Sequence, residues 1–157
     1  AVGQGPLVEV AASDWRRLLE VNLTSAFLLA KASHEALRAR RGSLVLISST
    51  NGLNGGSALS GPAYAVAKAG IINLARYLAK EWGGDGIRVN CVAPGPVETP
   101  MLARLADSTV DSLRQSIPLG RIASPEDVAA SIAFFCSPQA AYMTGTVMNV
   151  SGGLVLD

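Results

Sequence analysis

Hydrophobic positions along the chain follow two spacings that alternate from segment to segment. From Trp15 onward, apolar residues recur at Leu18, Leu19, Leu23, Ala26, Phe27 and Ala30, the spacing of one helix face. Ser13 stands before Asp14 as the expected cap, with acidic charge at the positive end of the helix dipole. The basic run Arg38, Arg40 and Arg41 suits the far end, and Gly42 is the expected stop. Residues 1–12 read as irregular. Residues 43–48 are a short apolar run closed by serine, which predicts a buried parallel strand. Residues 50–62 are rich in Gly, Asn and Ser and read as a loop. A second, alanine-rich helix is predicted from 63 to about 82, ended by Gly83 and Gly84. Residues 87–93 predict the next strand, broken by Pro94-Gly95-Pro96. Short helices and loop are expected over 98–117. Ser124-Pro125 opens a capped helix to about Cys136, and 145–150 form a last strand before Gly152-Gly153. This alternation predicts an α/β fold with a parallel sheet and right-handed crossovers.

The 157 residues suit a single domain over 1–157, without repeat or linker. Apolar residues make up 49%, charged residues 16%, and the net charge is +1. That argues against a disordered chain and against a nucleic-acid partner. No apolar run reaches the length of a membrane span, and the first residues do not read as a secretory signal. Cys91 and Cys136 stand far apart, so neither a disulfide framework nor a cysteine metal site is expected. A reducing, cytoplasmic setting fits.

One pair carries chemistry. Tyr64 and Lys68 are four residues apart at the start of the second helix, so they share a face. A free phenol titrates near pH ~10 and is a poor base at neutral pH; a nearby ammonium favours the phenolate and lowers that value. The pair can then serve as acid and base for an alcohol or carbonyl. Taken alone, such a pair is usually a solvated helix face. Here the preceding strand ends in Ser48-Ser49 and the following one in Pro94-Gly95, and parallel sheets bind ligands beyond those strand ends.

Several further segments stand in series with these: Val21-Asn22-Leu23, Ile47-Ser48-Ser49-Thr50-Asn51-Gly52, Tyr64 through Lys68-Ala69-Gly70, Gly86-Ile87-Arg88-Val89-Asn90, Pro94-Gly95 with Thr99, and Gly152-Gly153. In this order the chain resembles the short-chain dehydrogenase/reductase family. The resemblance implies a Rossmann-like doubly wound parallel sheet, here its C-terminal part of about three strands. It implies an NAD(P)-dependent oxidoreductase that interconverts a secondary alcohol and a ketone, with a 3-oxoacyl thioester among the open substrates. Tyr64 would be the acid/base, Lys68 would lower its pKa and bind the nicotinamide ribose, and Ser49 would donate to the substrate oxygen. Asn22 would sit at an irregularity of the first helix and hold a water that relays protons to Lys68. Tyr64, Lys68, Pro94, Gly95, Val97 and Thr99 would contact NAD or NADP. Against these stand plainer roles: Ser49 as a strand-end serine, Asn22 as an ordinary helical residue, Thr99 as a local cap. His34 is expected to pack or point outward, and Cys91 and Cys136 to be buried and inert.

Two departures from the family pattern stand out. Ser49 lies 15 residues before Tyr64, slightly further than usual, which suggests an insertion within 54–61. Ser151 replaces an expected aspartate. No glycine-rich strand–turn–helix for a pyrophosphate is found, so the chain reads as a C-terminal portion that would bind dinucleotide poorly alone. The resemblance implies a homodimer or homotetramer through helices at 14–40 and 63–82, and the competing reading is an inactive module that only folds and dimerises. A serine hydrolase is disfavoured, since there is no Gly-x-Ser-x-Gly and the lone His34 precedes the candidate serines. A sugar-nucleotide epimerase is disfavoured by the Pro94-Gly95 segment. Residues 101–120, with Met101, Leu102, Leu105 and Ile117, are the expected substrate lid.

Overall fold

The computed structural model describes residues 5–57 and 59–156. Its sheet has three parallel strands, β1 (Ser43–Ile47), β2 (Arg88–Pro94) and β3 (Val147–Val150), with β2 in the middle. Leu46 lies beside Cys91, and Cys91 beside Val147. The strand pleat sends alternate side chains to opposite faces. On β2, Val89 and Cys91 enter one apolar layer and Val92 the other. This two-sided burial is why the strands read as continuous apolar runs rather than alternating ones.

The layer under Val89 and Cys91 is filled by α4 (Pro62–Trp82) through Ile71, Ala75, Leu78 and Trp82. The opposite layer is filled by α6 (Pro125–Cys136) through Phe135, with Val128 and Ile132 beside it. The cap predicted for α6 is present as a full capping box: the Asp127 amide donates to Ser124 Oγ, and the Ser124 amide donates to the Asp127 carboxylate. Arg88 anchors the far end, donating to the carbonyls of Phe135 (2.7 Å) and Ala140 (3.0 Å). Asn90, fully buried, donates to Met143 O and accepts from the Thr146 amide, so it holds the turn that launches β3.

The first helix departs from expectation at its two ends and carries, between them, the irregularity expected at Asn22. It begins at Ala12 with Ala11 as the capping position, so Ser13 already lies inside the first turn and does not cap. It runs as α1 (Ala12–Leu19) and α2 (Ser25–Arg40), joined by a wider π turn over Glu20–Thr24, in which the Ser25 amide reaches back to Glu20 O. It ends with Arg41 in the left-handed conformation, φ 47°, where a glycine was expected. The Gly42 amide bonds Leu37 O at 2.9 Å, the closure that offsets the strain of a left-handed non-glycine residue.

Other corrections are local. Residues 50–62 contain a helical turn, α3 (Asn51–Asn54), formed where Leu53 and Asn54 bond back to Thr50 O. Of residues 1–12, Leu7–Glu9 form a 3-10 turn, and 1–4 lie outside the described residues. Within 98–117 lie a 3-10 turn (Leu102–Arg104) and α5 (Asp107–Ser116). Ile117, expected on a lid, is 3% exposed and packs beside Gly152, so it anchors the segment instead. Cys136 is exposed because it closes α6, whereas Cys91 is buried in mid-strand. His34 packs, as one of its two expected roles: it lies half-buried and tilted against the Trp82 ring and pairs with Asp85 at 3.2 Å.

Candidate active site

The C-terminal tip of β1 delivers Ser48, Ser49 and Thr50, and the N-terminal turn of α4 delivers Tyr64 and Lys68. Pro62 starts α4, as suits a position whose amide has no helical partner. The Ser49 side chain adjoins Tyr64 and favours its phenolate, and the Ser49 hydroxyl accepts the Asn51 amide at 3.2 Å. Lys68 Nζ lies 5.5 Å from the Tyr64 ring centroid. The structure therefore brings Ser49, Tyr64 and Lys68 together, as the spacing predicts.

Their electrostatics differ from the simple expectation. Burial pushes the Tyr64 phenol above its ordinary value, and the Ser49 side chain only partly offsets this. Burial pushes the Lys68 ammonium below its ordinary value, and a charge on Cys91 would act in the opposite sense. Lys68 Nζ donates to Ile47 O at 3.0 Å, so its charge is directed to the strand tip rather than to the phenol oxygen. The expected lowering of the Tyr64 pKa by Lys68 is thus absent in this arrangement, and Ser49 is the group that favours the phenolate. The Cys91 thiol is pushed up to about 11 by burial and stays protonated at neutral pH, in line with an inert side chain.

Two sequence-predicted cofactor positions adjoin this cluster. The Thr50 amide donates to Pro94 O at 2.9 Å, tying the tips of β1 and β2 into one rim. The Gly95 amide donates to Val150 O, and a Cβ on Gly95 would come 3.1 Å from the Ser151 Cα, so the loop is pinned against β3 at a glycine. Ser151, standing where an aspartate was expected, accepts the Val155 amide and closes the turn after β3. Val97 and Thr99 lie further along the loop. Val97 pairs with Ala123 through the Glu98 amide and Pro96 carbonyl, which turns the peptide groups of Val97 itself away from that bridge. The Thr99 carbonyl accepts the Ala103 amide, and the 3-10 turn that follows has Met101 at its capping position, with no side-chain cap. Asn22 sits in the π turn, the irregularity predicted for it, and its side-chain amide donates to Leu18 O at 2.9 Å.

Sequence reasoning missed two close contacts. Ser48, passed over in favour of Ser49, is 3% exposed and donates to Lys68 O at 2.7 Å. Strand alternation could have found it, since Leu46 faces α4 and Ser48 is two residues on. Gly52 packs so closely that a Cβ would lie 2.6 Å from the carbonyl carbon of Lys68. Among the described residues, no helix is long and apolar enough to cross a membrane, and no group of acidic, His or Cys side chains could hold a metal.

Comparison with known proteins agrees with this geometry. The family model described as Enoyl-(Acyl carrier protein) reductase matches residues 1–155. Human (3R)-3-hydroxyacyl-CoA dehydrogenase is 40% identical over 152 residues, covering 96% of this chain and 58% of that protein. The crystal structure of 3-oxoacyl-acyl carrier protein reductase from Brucella melitensis superposes with a TM-score of 0.93 at 31% identity, over 100% of this chain and 60% of that one. A structure described as an NAD(P) dependent gluconate 5-dehydrogenase from Beutenbergia cavernae, with bound NADP at low occupancy, gives 0.91 at 36% identity, over 98% and 62%. The three parallel strands and their flanking helices are part of a Rossmann fold. The chain belongs to the short-chain dehydrogenase/reductase family. It spans about three fifths of the length of the relatives it matches.

Proposed function

We propose that this chain is the catalytic part of an NAD(P)-dependent oxidoreductase that interconverts a secondary alcohol and a ketone, with a 3-oxoacyl thioester as the substrate class. The observation that carries the reading is the convergence of Ser49, Tyr64 and Lys68 at the tip of β1, with Lys68 Nζ 5.5 Å from the Tyr64 ring centroid. Burial keeps the Tyr64 phenol protonated at neutral pH, the form that gives a proton to a carbonyl oxygen during reduction. Ser49 donates to the same oxygen, where negative charge grows. Lys68, its ammonium directed to the Ile47 carbonyl, stands at the end of the proton path that Asn22 serves from the π turn. The substrate class rests on the human (3R)-3-hydroxyacyl-CoA dehydrogenase and the Brucella 3-oxoacyl-acyl carrier protein reductase that the chain resembles.

The residues present fit the nicotinamide end of NAD or NADP. The outward-turned peptide of Val97 offers a donor and an acceptor for a carboxamide, and Gly95 holds the Pro94–Thr99 loop close to β3. Tyr64 and Lys68 would hold the ribose, with Pro94 and Thr99 lining the same loop. When bound, the nicotinamide supplies or accepts the hydride. Free thiols, one of them exposed, support a cytoplasmic setting. The two apolar layers share β2, which supports one domain over 1–157.

A second copy of the chain is the proposed partner. Phe27 and Tyr77, 47% and 62% exposed, line a groove of about 390 Å³ between α2 and α4. Lys31 on one helix and Glu81 on the other flank this groove, and a two-fold axis would set each opposite the other's partner. Sedimentation of Phe27→Glu separates the outcomes: a monomer beside a dimeric parent is expected, and an unchanged assembly rejects the interface.

The activity is tested in a chimera whose matching three fifths of the Brucella reductase are replaced by this chain. Reduction of a 3-oxoacyl thioester by NADPH is expected, with Tyr64→Phe losing it by about 100-fold or more. A folded Tyr64→Phe chimera with full turnover would sink the assignment. A parent chimera that binds NADPH yet reduces no ketone would favour the module that only folds and dimerises.

A further inference from the structure

We propose that Ser48 is a positioning residue: its buried hydroxyl clamps the main chain of Lys68 to the β1 tip and so fixes Lys68 and Tyr64 against Ser49. The clamp has two sides. Ser48 Oγ donates to Lys68 O at 2.7 Å across 20 residues of sequence. Gly52, four residues after Ser48, rests on the same peptide group, with space for a hydrogen only, since a Cβ there would meet Lys68 C at 2.6 Å and Ala69 N at 2.8 Å. Ser48 is itself fixed, because its amide donates to Val92 O at 2.8 Å in the sheet ladder. A helix carbonyl already has its own amide partner one turn on. The extra bond from Ser48 therefore adds placement rather than satisfying an orphan. It acts at the one residue of α4 that carries the ammonium, one turn from Tyr64.

The clamp has a functional corollary. Lys68 Nζ reaches Ile47 O, the residue before Ser48, at 3.0 Å. The β1 tip thus holds Lys68 twice, by its main chain through Ser48 and by its ammonium through Ile47. Loosening the first hold lets the first turns of α4 drift outward and brings water to the ammonium, which burial holds below its ordinary value. Ser49 and Tyr64 part in the same motion.

This inference rests on reading Tyr64 and Lys68 as the acid/base pair, yet its test needs no turnover. The chain has three lysines, Lys31, Lys68 and Lys80. Reductive methylation with carbon-13 gives each an NMR signal, and Lys68→Arg assigns one of them. In the unsubstituted chain the Lys68 midpoint is expected below the ordinary lysine value of about 10.4. In Ser48→Ala it is expected to rise toward that value, and in Ser48→Thr, which keeps the donor, to return to the parent's. A folded Ser48→Ala with the parent's midpoint overturns the proposal. Should Ser48→Ala not fold, the unsubstituted chain decides: a slowly exchanging Ser48 hydroxyl proton with a cross-peak to Lys68 or Ala69 supports the clamp, and its absence overturns it. Full turnover of the Tyr64→Phe chimera together with a shifted Lys68 midpoint would sink the proposed activity and leave the clamp standing.

Discussion

Two glycines face the tyrosine helix or lie within it, and replacing each by alanine should give different results for one physical reason. At Gly52 the added Cβ would meet only main-chain atoms: Lys68 C at 2.6 Å, Ala69 N at 2.8 Å and Lys68 O at 2.8 Å. Ordinary carbon contacts begin near 3.5 Å, so α3 and α4 must separate by about 1 Å, and neither backbone can rotate aside. Overpacking of this kind costs about 1–3 kcal/mol, and a main-chain clash lies at the upper end. At Gly70 the clash is nearly as short, 2.8 Å, but the atom met is Leu23 Cδ2, the tip of a side chain that can change rotamer. Alanine also recovers about 1 kcal/mol of helix propensity there. Gly52→Ala should therefore lose about 2–3 kcal/mol and Gly70→Ala about 0–1 kcal/mol. Urea unfolding followed by circular dichroism and by the fluorescence of Trp15 and Trp82 measures both. A Gly52→Ala loss equal to or smaller than that of Gly70→Ala refutes the reasoning.

Three further outcomes follow from contacts away from the site. Asn90→Ala leaves Met143 O and the Thr146 amide without their partner; a loss of about 2–5 kcal/mol is expected in the same unfolding assay, and less than 1 would show that this turn holds without Asn90. Arg88→Lys cannot reach both Phe135 O and Ala140 O with the fork geometry of a guanidinium; a loss of about 1–3 kcal/mol is expected, with hydrogen exchange faster at the end of α6. The Asp127 carboxyl lies well below the usual carboxylate range, held there first by Arg121 and then by the Ser124 amide. A depressed folded-state value gives stability that is present above the unfolded value near pH ~4 and lost as pH falls below it. Asp127→Asn should therefore be less stable than the parent at pH 7 and converge on it in acid; parallel curves from pH 7 to pH 2 would contradict this.

The parts of the fold legible in the sequence were those set by local chemistry. Ser124-Pro125 announces its helix because a cap and a first-turn proline act within four residues. β2 announces itself because a strand buried on both faces has no polar side to show. Tyr64 and Lys68 were placed correctly because one helical turn fixes their relation. What stayed hidden depends on contacts across the chain. The π turn at Glu20–Thr24 leaves the apolar spacing from Leu19 to Leu23 unchanged, so periodicity reads straight through it and only the family resemblance placed an irregularity at Asn22. Ser48 and Ser49 are the same residue type side by side; the resemblance marked Ser49, while the bond from Ser48 to Lys68 O depends on where α4 lies against the strand. The direction of the Tyr64 shift was misread because spacing reveals a neighbouring cation but not the depth of burial.

The π turn sets the phase of everything after it. An inserted residue advances the remainder of a helix by about 100° relative to an unbroken one. That offset lets Leu18 point inward ahead of the turn and Ala30 point inward behind it, while Phe27, Leu28 and Leu29 face solvent. Removing one residue from Glu20–Thr24 would rewind α2 by the same angle, swing Ala30 out of its slot against the sheet, and turn the groove-lining stripe into a different surface. The residue proposed to serve the proton path and the face proposed to meet a second chain are thus geared to each other through a single extra peptide.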